Sequence, residues 1–456
     1  MKLPLQGDHI MVSFPKQILI SEKRYIMKKH IIIAALALLA LLAAAALLLQ
    51  HEPEGCGLPT DPPVTQTATE PEAPPETTVP ETTEETEPEE TTLPTEPPVP
   101  ATELALTATD SYGKVWYRVT DNDYRSYLPR RAGDSLLIAP TDPDALIGTL
   151  YLSWEKVPGT YELCWDGGTM TCGTNGFLHE AIILPEPVSK VWFEFHEEVT
   201  LGDARGFTEG TLPDDVQCWS VADDSCDILA MPTHADDEIL FFGPLLAYYI
   251  HERGLDVQVA YMTHHWDEMP RPHEMLNALW TLGVREYPVI SQWKDQKPWD
   301  LESAKTIFGE EAVVAWQVEQ IRRFEPSIII AHDVNGEYGH YAHILNTYCL
   351  QQAVELAADP DSHPESAALY GAWDTPKMYI HLYGEEPIVF PVHEPMSDGR
   401  TPYEVASLAF YCHRSQLKFY PQILCEEDPR YDARLFGLYR STVGPDTGWD
   451  ITENLP

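Results

Sequence analysis

The chain has 456 residues, 29 Lys plus Arg against 72 Asp plus Glu, a formal charge of −43 and 40 prolines. At roughly 100 to 200 residues per domain, this length excludes a single small module. The acidic excess argues against nucleic acid as a partner, because affinity for a phosphate backbone comes mainly from Lys and Arg displacing counterions. A content of 44% hydrophobic and 10% aromatic residues excludes a chain disordered throughout.

Met27-Lys28-Lys29-His30 opens onto nineteen consecutive Ile, Ala and Leu residues at 31–49. At about 1.5 Å per helical residue, such a run matches the roughly 30 Å hydrocarbon core of a bilayer. The pattern predicts a transmembrane signal anchor over 27–50, preceded at 1–26 by a mis-called start or a basic cytoplasmic tail. The expected location is the cell membrane, single-pass, with the C-terminal domains outside. Residues 51–100 then hold 13 Pro, 12 Thr and 13 acidic residues with no Lys or Arg. Proline stiffness and like-charge repulsion predict a disordered stalk over 51–102.

Residues 103–222 read as short strands between turns: Lys114 to Val119, Ser135 to Ile138, Gly148 to Trp154, Tyr161 to Trp165, Ala181 to Leu184 and Lys190 to Phe195. In the last, Val191, Phe193 and Phe195 share one face, the period-2 signature of a half-buried strand. An all-β sandwich is expected. Cys164 and Cys172 flank the turn signal Asp166-Gly167-Gly168, which leaves a hairpin disulfide open outside a reducing compartment. Leu178-His179-Glu180 and Gly206-Phe207 resemble the galactose-binding-like jelly rolls. That resemblance implies a carbohydrate-binding module, with Trp154, Trp165 and Trp192 as stacking rings; as a spacer, the same rings would be core.

Over 223–456 the period changes. Strands at Asp227 to Met231, Val257 to Met262, Val289-Ile290 and Ser327 to Ala331 alternate with helices at Ile239 to Arg253, Arg271 to Leu282, Ala312 to Phe324 and Ala342 to Ala358. This is the pattern of an α/β domain, a Rossmann-like parallel sheet flanked by helices, whose sites form past the carboxyl ends of strands. The aromatic tail from Thr375 to Pro456 is expected to pack on this domain and shape one wall of the cleft.

Two chemically dense segments lie past predicted strand ends: Pro232-Thr233-His234-Ala235-Asp236-Asp237-Glu238, and His332 through His343. His234 and Asp237, three apart at a helix start, face one side together, while Asp236 points elsewhere. A third ligand from the distant segment would complete a His, Asp, His set with room for water, as hydrolytic zinc sites require. Asp236, beside the ion and not on it, could then accept a proton.

These two segments, with Arg271-Pro272-His273-Glu274 and Leu282-Gly283, resemble the PIG-L/LmbE-type deacetylases, zinc enzymes that remove the acetyl group from N-acetylglucosamine units. The resemblance implies Zn²⁺ on His234, Asp237 and His343, with Asp236 as general base. It further implies His340 as oxyanion stabiliser and proton donor to the leaving amine, and Tyr338 against the acyl group. Thr233 and Ala235 depart from the family's usual prolines without removing a ligand. From the residues themselves, Arg271, His264 and His265 are expected to bind substrate; the alternatives are a carboxylate partner for Arg271 and solvent for the two histidines. The expected substrate is an N-acetylated sugar or cell-surface glycan. Two other readings stand beside it, an amidase on another acylated conjugate and a non-catalytic surface glycan-binding or adhesion protein.

Overall fold

A computed structural model describes residues 99–456, and alternating burial builds their first half. In the strand Val191–Phe195, Val191, Phe193 and Phe195 are buried while Glu194 is exposed. The region holds ten strands, of which β5 is buried along its whole length: β1 (Glu103–Leu104), β2 (Leu106–Asp110), β3 (Leu128–Arg130), β4 (Ser135–Pro140), β5 (Ile147–Trp154), β6 (Tyr161–Trp165), β7 (Gly168–Cys172), β8 (His179–Val188), β9 (Val191–Phe195) and β10 (Val199–Phe207). They pair antiparallel into two sheets, one ordered β1-β10-β5-β8 with β3 also on β10, the other β2-β4-β9-β6-β7. Leu150, Leu152 and Trp154 of the first sheet and Leu163, Phe193 and Phe195 of the second share one apolar core.

One expectation for this region is corrected, and two readings left open by the sequence are decided. Lys114 to Val119 is not a strand, and Tyr117–Val119 is a short 3-10 turn. The Asp110 carboxylate accepts from the backbone N–H of Tyr112 and Lys114 and from Trp116 Nε1, which turns the chain there. Trp154 and Trp165 are buried and so belong to the core, and Trp192 is half-buried. Cys164 and Cys172 are free thiols. Their register explains it: Cys172 lies opposite Tyr161, and Cys164 opposite Thr169.

The second half is a seven-stranded sheet. Its strands are β11 (Ile228–Ala230), β12 (Val257–Tyr261), β13 (Val289–Ile290), β14 (Ile328–Ala331), β15 (Lys377–His381), β16 (Ile388–Val389) and β17 (Leu435–Ser441), in the order β13-β12-β11-β14-β15-β17-β16. The first five by position, β13 to β15, are parallel, and β17 adds antiparallel to β15 with β16 antiparallel on its far side as the edge. From β11 the chain runs outward through β12 to β13, then returns to β14 on the other flank. The boundary between β11 and β14 is thus a topological switch point, where loops after neighbouring strands part and leave a crevice.

The helices are α1 (Asp237–Leu240), α2 (Gly243–His251), α3 (Arg271–Leu282), α4 (Leu301–Phe308), α5 (Glu310–Phe324), α6 (Tyr341–Ala358), α7 (Pro364–Tyr370) and α8 (Pro402–Phe410). The single helix expected over Ile239 to Arg253 is broken at Phe241-Phe242, and α2 restarts with Pro244 in its first turn, where a missing N–H costs nothing. Helix α3 stops where expected because Gly283 takes φ 112°, and a Cβ there would meet Ile250 Cγ2 at 2.8 Å. The C-terminal end of α6 is closed by the buried Arg322, whose guanidinium donates to the carbonyls of Leu356, Ala357 and Asp359.

The β-rich half packs onto α3 and the loop after it. Phe177 stacks on Tyr287 with centroids 4.5 Å apart, Gln217 Nε2 donates to Asn277 Oδ1 at 2.6 Å, and His179 Nε2 lies 2.7 Å from His273 Nδ1. Burial pushes His179 down from 6.5 to about 4, and His273 well below its ordinary value. The folded protein therefore refuses a proton that the unfolded chain accepts below pH 6.5. Stability contributed by His179 is full above that pH and falls, by about 1.4 kcal/mol per unit, until about pH 4. Urea unfolding across pH 7 to 4 checks this: His179→Gln is expected to remove that component of the slope, and an unchanged slope would show that His179 does not carry it.

The membrane placement is corrected. Among the described residues, no helix is long and apolar enough to cross a membrane, so a single-pass anchor with extracellular domains is not carried forward. The run at 27–50, the segment at 1–26 and nearly all of the stalk lie outside the described residues.

Candidate active site

The loops after β11 and β14 meet over the switch point. His234 follows β11 and Asp237 opens α1, while His343 stands in the first turn of α6, after the long β14 loop. Three atoms form a nearly equilateral triangle: His234 Nδ1 to Asp237 Oδ2 is 3.1 Å, His234 Nδ1 to His343 Nε2 is 3.0 Å, and His343 Nε2 to Asp237 Oδ2 is 3.2 Å. All three side chains are buried. Ligands on a tetrahedral ion at bond lengths of about 2.0–2.1 Å sit roughly 3.3 Å apart, so the triangle is close to the size of a facial metal site. Overlapping groups that bring in His340 or His332 share the same His343.

A hydrogen bond on His343 and a close carboxylate contact on His234 set which nitrogens face inward. His343 Nδ1 lies 2.7 Å from Glu337 Oε2, so its proton goes to Glu337 and Nε2 presents a lone pair. His234 Nε2 lies 3.3 Å from Asp295 Oδ1, which leaves Nδ1 for the triangle. The contact is close but poorly aligned, and both atoms otherwise lack a hydrogen-bond partner. Two lone pairs and a carboxylate oxygen facing one another at about 3 Å repel unless a cation or protons sit among them. Burial opposes charge on His234 and His343, yet Asp237 outweighs it and raises both, while Asp237 itself is held well below its ordinary value. The donor set therefore fits a divalent ion.

Glu337 is the hub behind this arrangement. Besides His343 it lies 3.0 Å from His332 Nδ1 and 3.1 Å from His381 Nδ1, and it accepts the Asp333 N–H. Its backbone holds φ 52°, a conformation that side chains other than Gly rarely adopt, beside Gly336 at φ 71°. His332 Nε2 accepts the Thr233 N–H, tying this loop to the His234 segment. Glu337→Gln keeps the shape and removes the charge that orients His343. Carboxylates of this kind are worth roughly 10–100-fold in metal affinity, so competition with a chelator is expected to show weakening in that range. Unchanged affinity would show that Glu337 is only packing.

Asp236 is not one of the triangle's three corners, and it stands on a strained backbone at φ 138°. Its N–H donates to Glu238 Oε2 at 2.8 Å, and Arg271 NH2 donates to Asp236 Oδ1 at 3.2 Å and to the Ala235 carbonyl. Burial raises the Asp236 carboxyl to about 6, against the pull of Arg271. Arg271 thus pairs with the Asp236 carboxylate, the alternative to the substrate-binding role expected of it. Glu238 in turn pairs with His413 Nε2 at 2.9 Å, and Ser415 donates to Glu274 through both backbone and hydroxyl. These contacts seat the C-terminal tail beside the site.

His340 lies against the triangle, its ring centroid 4.8 Å from His234 and 4.6 Å from His343. Burial and the two neighbouring histidines pull it down to about 3, so it is a neutral imidazole at neutral pH. Tyr338 is 38% exposed and stacks on Tyr431, and burial pushes its hydroxyl upward, so it stays protonated. His265 is buried with its ring 6.0 Å from His234, and burial takes it to about 3. His264 is half-buried, bridged by its backbone to Lys294, and its Nδ1 has no partner among the described residues. The sequence assigns no role to Asp295, places Glu337 in the second dense segment without a task of its own, and puts His413 only within the tail expected to wall the cleft. Asp295 could have been sought by the same strand-end logic, since it follows β13.

Residues 229–354 match the family model described as PIG-L: GlcNAc-PI de-N-acetylase. Among curated proteins, the chain is 30% identical over 158 residues to 1D-myo-inositol 2-acetamido-2-deoxy-alpha-D-glucopyranoside deacetylase 2 of Saccharopolyspora erythraea, covering 30% of this chain and 56% of that one. It is 28% identical over 213 residues to the mycothiol S-conjugate amidase of Streptomyces coelicolor, covering 40% and 70%. The chain spans little more than half the length of the first of these relatives. Among solved structures, N,N'-diacetylchitobiose deacetylase from Pyrococcus horikoshii is similar at 15% identity and a TM-score of 0.35, over 47% of this chain and 84% of that one.

Proposed function

We propose that the PIG-L domain at residues 229–354 makes this chain a zinc-dependent hydrolase that removes the N-acetyl group from N-acetylglucosamine-type sugars or conjugates. The observation that carries the reading is the triangle of His234 Nδ1, Asp237 Oδ2 and His343 Nε2, three buried donors 3.0 to 3.2 Å apart with the third corner drawn from a distant segment. Zinc held by these three would act as a Lewis acid toward the amide carbonyl and lower the pKa of a water to near 7.

The chain's own residues supply the proton chemistry. Asp236 accepts a proton as water adds to the carbonyl carbon, and its raised affinity lets it hold that proton near neutral pH. His340, neutral, donates an N–H to the oxygen that gains charge. Tyr338 offers a second hydroxyl at the rim. When the C–N bond breaks, the proton on Asp236 passes to the amine, so acetate and a free amino sugar leave and the carboxylate is restored. The expected role of His340 as proton donor to the amine fits a neutral imidazole less well than does Asp236.

We assign residues 103–222 to a jelly-roll-like module and 223–456 to the catalytic domain. The decisive experiment incubates the purified, zinc-loaded chain with N-acetylglucosamine, its oligomers and N-acetylglucosaminyl-inositol and measures acetate. Acetate with an equal amount of new amine is expected; no release from any of them would overturn the reading. Cleavage of another acylated conjugate is the second reading, favoured by the similarity to an amidase. Release of a different acid from such a conjugate would select it.

A further inference from the structure

A second set of ligand atoms stands beside the triangle and shares none of its corners. One nitrogen of His265 and one carboxylate oxygen from each of Glu268 and Asp295 lie within 4.8 Å of one another. His265 is 4% exposed, and neither of its ring nitrogens has a partner among the described residues. Asp295 Oδ1 has none beyond its poorly aligned contact with His234. A buried polar atom without a partner costs free energy that a ligand recovers. We propose that His265, Glu268 and Asp295 form a second, exchangeable zinc site whose filling inhibits the hydrolase. The site stands apart from the catalytic reading, and only its effect on rate rests on that reading.

The backbone builds this set. Past the carboxyl ends of β12 and β13, His264 and Lys294 form a parallel bridge, with the His264 N–H donating to the Trp293 carbonyl at 2.7 Å and the Asp295 N–H to the His264 carbonyl at 3.2 Å. His265 and Asp295 are each the next residue, so their side chains leave the bridge on one face. The chain then turns, and the Glu268 N–H donates to the His265 carbonyl at 2.9 Å. That turn brings Glu268 Oε2 to 3.7 Å from His265 Nδ1. Asp267, in the same turn, pairs instead with Lys294 Nζ at 2.5 Å.

The donor set is one imidazole and two carboxylates. Imidazole suits zinc, whereas magnesium prefers oxygen ligands and keeps its waters. The Glu268 side chain is 45% exposed, so this set opens to solvent and exchanges its ion more readily than the buried triangle does. The His234 ring stands between the two sets, with Nδ1 in the triangle and Nε2 on Asp295. Paired ions that act together on one reacting group lie about 3.5–4 Å apart, and the ring between these sets keeps them from doing so. An ion on Asp295 instead draws that carboxylate away from His234. Losing the carboxylate behind a ligating histidine typically costs roughly 10–100-fold in metal affinity or activity, so filling this site lowers turnover.

The test titrates the dialysed full chain with ZnCl₂ and, separately, with MgCl₂ by calorimetry, and follows acetate release over the same ZnCl₂ range. One further zinc per chain is expected to bind, to leave on renewed dialysis, and to lower acetate release about tenfold with the same midpoint. Glu268→Gln should weaken this binding and shift the inhibition midpoint by about tenfold, with the dialysis-stable zinc, the uninhibited rate and thermal unfolding unchanged. Asp267→Asn removes an equal charge from the same turn and should leave both midpoints in place. No further zinc, binding indifferent to Glu268→Gln, an equal response to Asp267→Asn, or magnesium bound as tightly would each overturn the site. A filled site with an undiminished rate would overturn the inhibition. A chain that releases no acetate at any zinc concentration refutes the catalytic reading instead, and the zinc titration still decides the site.

Discussion

Asp236→Asn protein is expected to hold zinc as tightly as the unsubstituted chain while turnover falls by about 10²–10⁴-fold. The side chain keeps its shape and its contact with Arg271, but the amide cannot take up a proton. Asp236 stands outside the triangle, its carboxyl raised to about 6 by burial and restrained by Arg271, and its backbone is strained at φ 138°. Strain of this kind costs on the order of 1–3 kcal/mol and persists only where surroundings impose it. The Glu238 carboxylate on its N–H and Arg271 on the Ala235 carbonyl impose it here. Metal content and kcat on the same preparation check the assignment. Retained activity would place the base elsewhere, and lost zinc would make Asp236 a ligand.

His340→Ala is expected to lower kcat by about 10²–10³-fold, the usual loss for one donor to a developing oxyanion. His340 packs against His234 and His343 of the triangle, and its Nδ1 has no protein partner among the described residues. Since the ring is pulled to about 3, it does not titrate between pH 5 and 9. His340→Gln, which keeps an N–H, should recover part of the rate without adding a pH-dependent limb. Rate profiles of the three proteins decide it. A loss confined to KM would make His340 a substrate-binding group instead, and a new limb near neutrality would make it an acid.

Local patterns made much of this fold legible. Helix α3 could be read to the residue because Arg271–Leu282 has four-residue apolar spacing and ends at a glycine that must take positive φ. The switch-point cluster could be read because both dense segments follow apolar strands. What failed was decided by side-chain hydrogen bonds and packing that leave no periodic trace in the sequence. Val115, Tyr117 and Val119 alternate like a strand, yet one carboxylate at Asp110 folds them into a turn. Nothing in the spacing of Trp154 or Trp165 says which faces the second sheet. Asp295 and His413 carry no motif of their own, since their partners lie 61 and 175 positions away, while Glu337 meets His343 six positions on only because the loop turns back at Gly336 and Glu337 with positive φ. An apolar run such as 31–49 is legible as composition, but composition does not place a chain in a cell.

The most direct test is zinc stoichiometry, measured by elemental analysis after dialysis, in the unsubstituted chain and in Asp237→Ala and His343→Ala proteins whose folding is verified by circular dichroism. The triangle predicts one zinc per chain, lost together with acetate release in both variants. A folded variant that keeps its zinc, or a metal-free chain that releases acetate at the full rate, would contradict it.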